Sequence, residues 1–159
     1  MSAIQIRDHE EQLVVFDVGK EVYGVDISRV QEIIRMQAIT RVPGAPPFVE
    51  GVINLRGKII PVIELHHRFG LASSDSGRDS RIVVVETGGH VVGMVVDSVS
   101  EVMRISTECI EPPSAIVAGA ETDYMRGIAK LEGRLIILLQ LDKVLTSEQR
   151  ASLQESFAN

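Results

Sequence analysis

One strand-turn-strand pattern occurs twice in this chain of 159 residues. The segment "FVEGVINLRGKIIPVIEL" covers residues 48–65, and "YMRGIAKLEGRLIILLQL" covers residues 124–141, 76 positions later. An earlier block also recurs, at an offset of 69, with four matched pairs: Gly24 and Gly93, Val30 and Val99, Glu32 and Glu101, Arg35 and Arg104. Two copies are too few for a solenoid. The repeat therefore predicts two similar small β-units related by a pseudo-dyad.

The second strand of each copy is almost wholly apolar, reading "KIIPVIEL" and "RLIILLQL". A continuous apolar strand is typical of burial on both faces. In an isolated small barrel one face would meet water, so we expect the apolar strands of the two halves to cover each other in one shared core. Pro61 lacks a backbone N–H and is expected at a strand edge or a bulge.

The remaining pattern predicts hairpins at 12–27 and 81–96, turning at Gly19–Lys20 and at Gly88–Gly89. The spacing of apolar residues in "SRVQEIIR" predicts a short helix or a helical turn within 28–35, starting near Ser28. Residues 71–80 are rich in Ser, Asp and Gly and predict an exposed linker.

The C-terminal sequence carries a capping box, Thr146 followed by Gln149, which predicts a helix over 146–157. We therefore expect one all-β domain over 1–159, with sub-barrels near 13–70 and 81–145 between which strands can be exchanged.

Composition limits the classes of function and the cellular location that we expect. The formal net charge is −6 and aromatic residues make up 4%, so neither a basic surface for nucleic acid nor an aromatic-lined strand face is expected. Cys109 is the single cysteine, which favours a reducing compartment. The N-terminus lacks a signal-peptide pattern, and apolar runs such as "LIILL" are too short to span a membrane. We expect a cytoplasmic protein that does not insert into membranes.

No catalytic or metal-binding pattern is evident. The four histidines, His9, His66, His67 and His90, show no metal-ligand spacing, and Cys109 has no basic neighbour to activate it. We therefore expect neither an enzyme nor a bound cofactor or metal. A β-barrel that binds a small ligand or single-stranded nucleic acid remains the alternative of a different class.

Two charged residues stand out against this apolar background. Arg56 occupies a tight turn whose counterpart in the second copy is Glu132, so the turn itself does not require a guanidinium. Glu32 is flanked by apolar residues. Either both are ordinary solvated charges, or they frame an apolar groove at the seam between the barrels. Gly51 is expected to permit a close approach of two backbones.

The segments "VYGVDISRVQEI", "EGVINLRGKIIPVIEL" and "VVGMVVDSVSEV" resemble the CheW family of chemotaxis coupling proteins over about residues 13–145. The resemblance implies two five-stranded SH3-like barrels around a common core. It also implies an adaptor that links chemoreceptor tips to the regulatory domain of the CheA histidine kinase in receptor arrays. A coupler of a chemosensory pathway unrelated to motility is the alternative within this family.

The same resemblance implies roles for individual residues. Glu32 and Arg56 match positions that the family uses to bind partners, and Val30 and Val99 match apolar groove positions. Thr40 and Gly51 complete the predicted set of receptor- and kinase-binding residues.

Overall fold

The computed structural model describes residues 9–45, 48–71, 77–87, 89–113 and 124–144. These ranges contain eleven β-strands: β1 (Glu10–Val18), β2 (Glu21–Asp26), β3 (Val30–Arg35), β4 (Val49–Leu55), β5 (Lys58–Glu64), β6 (Arg81–Thr87), β7 (His90–Val96), β8 (Ser98–Ser106), β9 (Ile110–Glu111), β10 (Met125–Leu131) and β11 (Arg134–Leu139). They also contain one α-helix, α1 (Leu65–Arg68), and 3-10 turns at Ile27–Arg29, Thr107–Cys109 and Leu141–Lys143. The helix predicted over 146–157 and the linker positions 72–76 lie outside the described residues.

The strands form two sheets. Sheet I has the order β8-β1-β2-β11-β10-β9, and sheet II has the order β3-β6-β7-β5-β4. Ion pairs link parts of each sheet that are distant in its strand order, Glu32 on β3 to Arg56 after β4 in sheet II and Glu101 on β8 to Arg134 on β11 in sheet I. Both sheets therefore curl into barrels. The predicted all-β fold with two SH3-like barrels is confirmed. Sheet I has six strands instead of five because the two-residue strand β9 pairs with β10.

The two sheets do not follow the two halves of the sequence. Hairpin β1–β2 belongs to the sheet built mainly from the second half, and hairpin β6–β7 belongs to the sheet built mainly from the first. Each exchanged hairpin is joined through a short parallel pairing, β2 with β11 and β7 with β5. The ranges 13–70 and 81–145 therefore do not coincide with the sheets, and the exchange of strands interleaves the halves.

The largest apolar cluster lies between the sheets and takes side chains from both. Phe16 and Val25 come from sheet I, and Val85 and Met94 come from sheet II, all with at most 1% exposure. The predicted shared core is confirmed. Separating the sheets would expose aliphatic side chains whose burial contributes roughly 1.5–3 kcal/mol each.

Each barrel also encloses a smaller core of its own, which the sequence argument did not include. The buried members in sheet I are Leu13, Val15, Ile105, Ala129, Ile136 and Leu138. Those in sheet II are Ile53, Ile60, Val62, Ile82, Val84 and Val95. The shared core is thus the middle one of three apolar layers.

The prediction of a helix over 28–35 is wrong for most of that segment. Only Ile27–Arg29 forms a 3-10 turn, and the carboxylate of Asp26 caps it by accepting the Ser28 N–H at 2.9 Å. The following residues form β3, which pairs with β6. The helical spacing was misleading because Ile33, one of the apolar residues that set it, is 38% exposed on a strand.

Pro61 lies inside a strand that has neighbours on both sides, β4 and β7. Opposite it, Val52 directs its own N–H and C=O to Thr40, at 2.8 and 2.9 Å, and so away from β5. The nitrogen of Pro61 therefore faces the β7 side, where pairing begins only at Val62. Proline is tolerated because this position is just beyond the end of the parallel ladder.

Candidate functional site

The turn between β4 and β5 has an unusual conformation for its sequence. Arg56 and Gly57 both have positive φ, +54° and +86°, as in a type I′ turn. The side chain of Asn54 stabilises the turn by accepting the Gly57 N–H at 2.8 Å. Within the described chain, Arg56 is the only non-glycine residue with positive φ. Such turns favour Asn or Gly at this position, so an arginine here is held in a conformation that side chains disfavour.

A two-point ion pair fixes the guanidinium of Arg56. Its Nη1 donates to Glu32 Oε2 at 2.5 Å, and its Nη2 donates to Glu32 Oε1 at 2.8 Å. The hydrogen bond from Arg56 lowers the pKa of Glu32 below its ordinary value, so the carboxylate stays charged. The Arg56 side chain is nevertheless 74% exposed, against 24% for Glu32. The structure therefore presents an oriented guanidinium to solvent.

Val30 and Val99 lie at equivalent places in the two sheets. Each stands near the start of a strand that the chain enters after crossing from the other sheet, β3 for Val30 and β8 for Val99. Both are half-buried and pack on the shared core. Each valine leaves part of its apolar side chain exposed where the chain has just crossed between the sheets, and we call the surface at Val30 and Val99 the crease.

Thr40 and Gly51 are neighbours through their backbones. Thr40 forms a two-bond bridge with Val52, with N to O distances of 2.9 and 2.8 Å. A Cβ atom added to Gly51 would lie 2.3 Å from the carbonyl oxygen of Thr40. The predicted close approach at Gly51 is confirmed and has a packing reason. The binding roles of both residues stay predictions.

The predicted site residues thus fall into three groups. Glu32 and Arg56 are in contact, Thr40 and Gly51 are in contact, and the two valines flank the shared core. Five of the six belong to sheet II or the bridge on its edge, and Val99 belongs to sheet I.

Exposed apolar side chains near these residues escaped the sequence argument. Ile33 directly follows Glu32, and Ile59 lies three positions after Arg56 and is 62% exposed. Their counterparts in the repeat, Val102 and Leu135, are exposed by 51% and 59%. The repeat could have revealed these residues, because its offsets of 69 and 76 match an apolar residue with an apolar residue at both surface positions.

The described residues also bear on metal sites, membrane spans and small-molecule pockets. No cluster of three or more potential metal ligands is present among the described residues. No helix in the described ranges is long and apolar enough to cross a membrane. A cavity of about 160 Å³ has two arginines in its lining, but Arg29 already pairs with Asp142 and Arg126 with Glu11. This volume is below the roughly 300–1,000 Å³ of typical small-molecule sites.

Comparisons with known proteins agree with this geometry. Residues 12–149 match the family described as CheW-like domain. The chain is 37% identical to the chemotaxis protein CheW of Klebsiella aerogenes, over 89% of this chain and 85% of that protein. It is 34% identical to the chemotaxis protein CheW of Treponema pallidum, over 93% and 89% of the two chains.

A solved structure gives the same result at the level of the fold. The crystal structure of the scaffolding protein TtCheW from Thermoanaerobacter tengcongensis superposes with a TM-score of 0.80 at 42% identity. The match covers 87% of this chain and 94% of that one. With the fold and nearly the whole length in agreement, the chain belongs to the CheW family of chemotaxis proteins.

Proposed function

We propose that this chain is a non-catalytic adaptor that couples the cytoplasmic tips of chemoreceptors to the regulatory domain of a CheA-type histidine kinase. It would act in the cytoplasm at receptor arrays, by stoichiometric binding and without a cofactor. Family membership and the scaffolding role named for a relative of 42% identity support this proposal.

The observation that carries the proposal is the exposed, strained and oriented Arg56. A turn selected for stability alone would have Asn or Gly at φ +54°. Strained residues that persist are concentrated at functional sites. Glu32 uses donors on two nitrogens of a group that carries five N–H donors, so the outward edge keeps donors for a carboxylate or carbonyl of a partner.

An adaptor needs at least two separate surfaces, and the crease supplies the second. Val30 and Val99 offer apolar area directly above the shared core. An amphipathic helix can place its apolar stripe in such a groove. We assign the crease to the helical receptor tip and the face around Arg56 to the kinase domain.

The test of the proposal replaces Arg56 with Asn, which suits the positive φ of the turn and removes the guanidinium. We expect Arg56→Asn to weaken binding to a CheA-type regulatory domain by roughly tenfold to a hundredfold, as for an arginine anchor in an interface. The temperature of thermal unfolding should stay near that of the parent protein. Isothermal titration calorimetry and circular dichroism would measure the two quantities.

Two further variants separate a binding role from a structural one. Arg78→Asn removes an exposed arginine elsewhere on the chain and should leave binding unchanged. The charge swap Glu32→Arg with Arg56→Glu keeps an internal ion pair but reverses the charges presented, and it should not restore binding. Restored binding in the swap would show that the pair serves only the fold.

A further inference from the structure

The chain crosses between the two sheets at places fastened by polar side chains. The first crossover, Ile27–Arg29, leads from β2 in sheet I to β3 in sheet II. Arg29 Nη2 donates to the carbonyl oxygen of Glu86 at 2.8 Å and to Asp142 Oδ1 at 2.6 Å. Asp142 lies in the 3-10 turn after β11, so this pair ties sheet I to sheet II.

At the second crossover a polar side chain again links the two sheets, but the groups are a carboxylate and an imidazole. Asp97 leads from β7 in sheet II to β8 in sheet I. Its Oδ2 accepts the N–H of Gly19, in the β1–β2 turn of sheet I, at 2.7 Å. The same oxygen lies 3.2 Å from Nε2 of His66, in α1 directly after β5 of sheet II. His66 and Asp142 are equivalent in the repeat, at the offset of 76.

The ring of His66 lies between two carboxylates. Its Nδ1 is 2.9 Å from Glu64 Oε1, and the residue is only 3% exposed. A neutral imidazole carries one N–H, so it can donate to only one of Glu64 and Asp97 and would turn a lone pair towards the other. A protonated ring donates to both. The geometry therefore fits the imidazolium form.

Other charged groups lie on the elements packed around His66. Asp17 on β1 accepts the Asp97 N–H through its carbonyl at 2.9 Å, and its carboxylate accepts the hydroxyl of Ser98 at 2.6 Å. Burial and the neighbouring Glu64 raise the pKa of Glu50 on β4, while the charge of Arg41 opposes this shift. On α1 itself, Arg68 turns away to the carbonyl of Val144 and the ring of Tyr124, and His67 is exposed.

We propose that His66 is a pH-sensitive latch between the two sheets. As an imidazolium it ties α1 of sheet II, through Asp97, to the β1–β2 turn of sheet I. When the ring loses its proton, Glu64 and Asp97 compete for the one remaining N–H, and the tie to Asp97 weakens. The equivalent tie between Arg29 and Asp142 stays closed because arginine keeps its charge. Val99 lies two positions beyond Asp97. An effect on partner binding in the crease would rest on the proposed function, whereas the latch itself does not.

The direction of the pH dependence follows from the surroundings of His66. Burial alone would lower the pKa of His66, but the hydrogen bonds and charges of Glu64 and Asp97 outweigh it, and the pKa lies above the ordinary 6.5. A group whose pKa is raised by folding stabilises the folded state fully below its unfolded pKa. That stabilisation is lost as pH rises from about 6.5 through the raised value.

The parent protein alone provides the first test. In an NMR titration of the imidazole Cε1–H signals from pH 5 to 9, the signal assigned to His66 should have its midpoint above 6.5. The protection of the Gly19 amide against hydrogen exchange should fall over the same pH range, while that of the Gly57 amide, which bonds to Asn54, should not. A His66 midpoint at or below 6.5, or unchanged Gly19 protection, would overturn the latch.

Matched variants provide the second test. In urea unfolding, the unfolding constant of the parent should rise with pH roughly tenfold for each pKa unit by which His66 exceeds 6.5. His66→Gln should lose this pH dependence, and His67→Gln, at the exposed neighbouring position, should keep it. If both variants retain the dependence of the parent, another group is responsible and the proposal fails. If His66→Gln does not fold, the measurements on the parent decide.

Discussion

At Gly51 the absence of a Cβ atom allows two backbones to approach closely. Its α-carbon lies so near the Thr40 backbone that a Cβ would come within 2.3 Å of the carbonyl oxygen and 2.7 Å of the Ile39 side chain. The equivalent Gly127 is similarly close to the carbonyl oxygen of Glu111, at 2.8 Å. The sequence could predict this role because a glycine inside an apolar strand often marks the close approach of another backbone.

We expect Gly51→Ala to reduce the free energy of unfolding by roughly 1–3 kcal/mol, as for an overpacked core position, because the carbonyl of Thr40 must move. Urea denaturation would measure the loss. Gly77→Ala is the matched control, since a Cβ there would meet no atom within 4 Å. Equal losses in the two variants would show that the contact with Thr40 does not limit position 51.

The conformation of Arg56 could not be predicted in the same way. Arginine has no preference for positive φ, and the second copy, with Glu132, does not share the feature among its described residues. Only the bidentate contact with Glu32, 24 positions earlier, shows that the side chain is held in place. The family resemblance implied a partner-binding role for Glu32 and Arg56, which stays a prediction, and the structure shows that the two side chains pair.

Strands and hairpins were predictable where local chemistry decides them. Val-rich segments around Gly19–Lys20 and around Arg56–Gly57 form hairpins as expected. The segment that became β3 was misjudged, because apolar residues three and four apart also fit a strand with one exposed isoleucine. The exchange of hairpins between sheets was left open by the sequence, since local pattern does not identify the partner of a strand.

At the scale of elements, the crease depends on where β3 and β8 begin. We expect Val99→Thr to weaken binding of a helical receptor-tip fragment by roughly tenfold, because burying a hydroxyl without a partner costs on the order of 1–2 kcal/mol. Val102→Thr lies on the same strand β8, at a position 51% exposed, and serves as the control. Fluorescence anisotropy with a labelled fragment would compare them. Equal weakening by both variants would contradict the assignment of the crease.

The whole molecule behaves in this account as one interleaved unit. Each half of the chain contributes strands to both sheets, and the largest apolar cluster belongs to neither sheet alone. This arrangement explains how the apolar strands of the repeat are buried on both faces, by the shared core on one face and by the core of their own barrel on the other. Among the described residues, the junction between the sheets includes fastenings at Arg29 and at His66, and the latch proposal assigns the pH response near neutrality to the one at His66.

The shared core is tested most directly by calorimetry of the parent and of Phe16→Ala. Phe16 is fully buried between the sheets, and its truncation should cost roughly 3–5 kcal/mol. The account predicts one heat-absorption peak in both proteins, with equal calorimetric and van't Hoff enthalpies, and a peak shifted as a whole to lower temperature in the variant. Two peaks, of which the substitution moves only one, would show separate interiors and contradict the account.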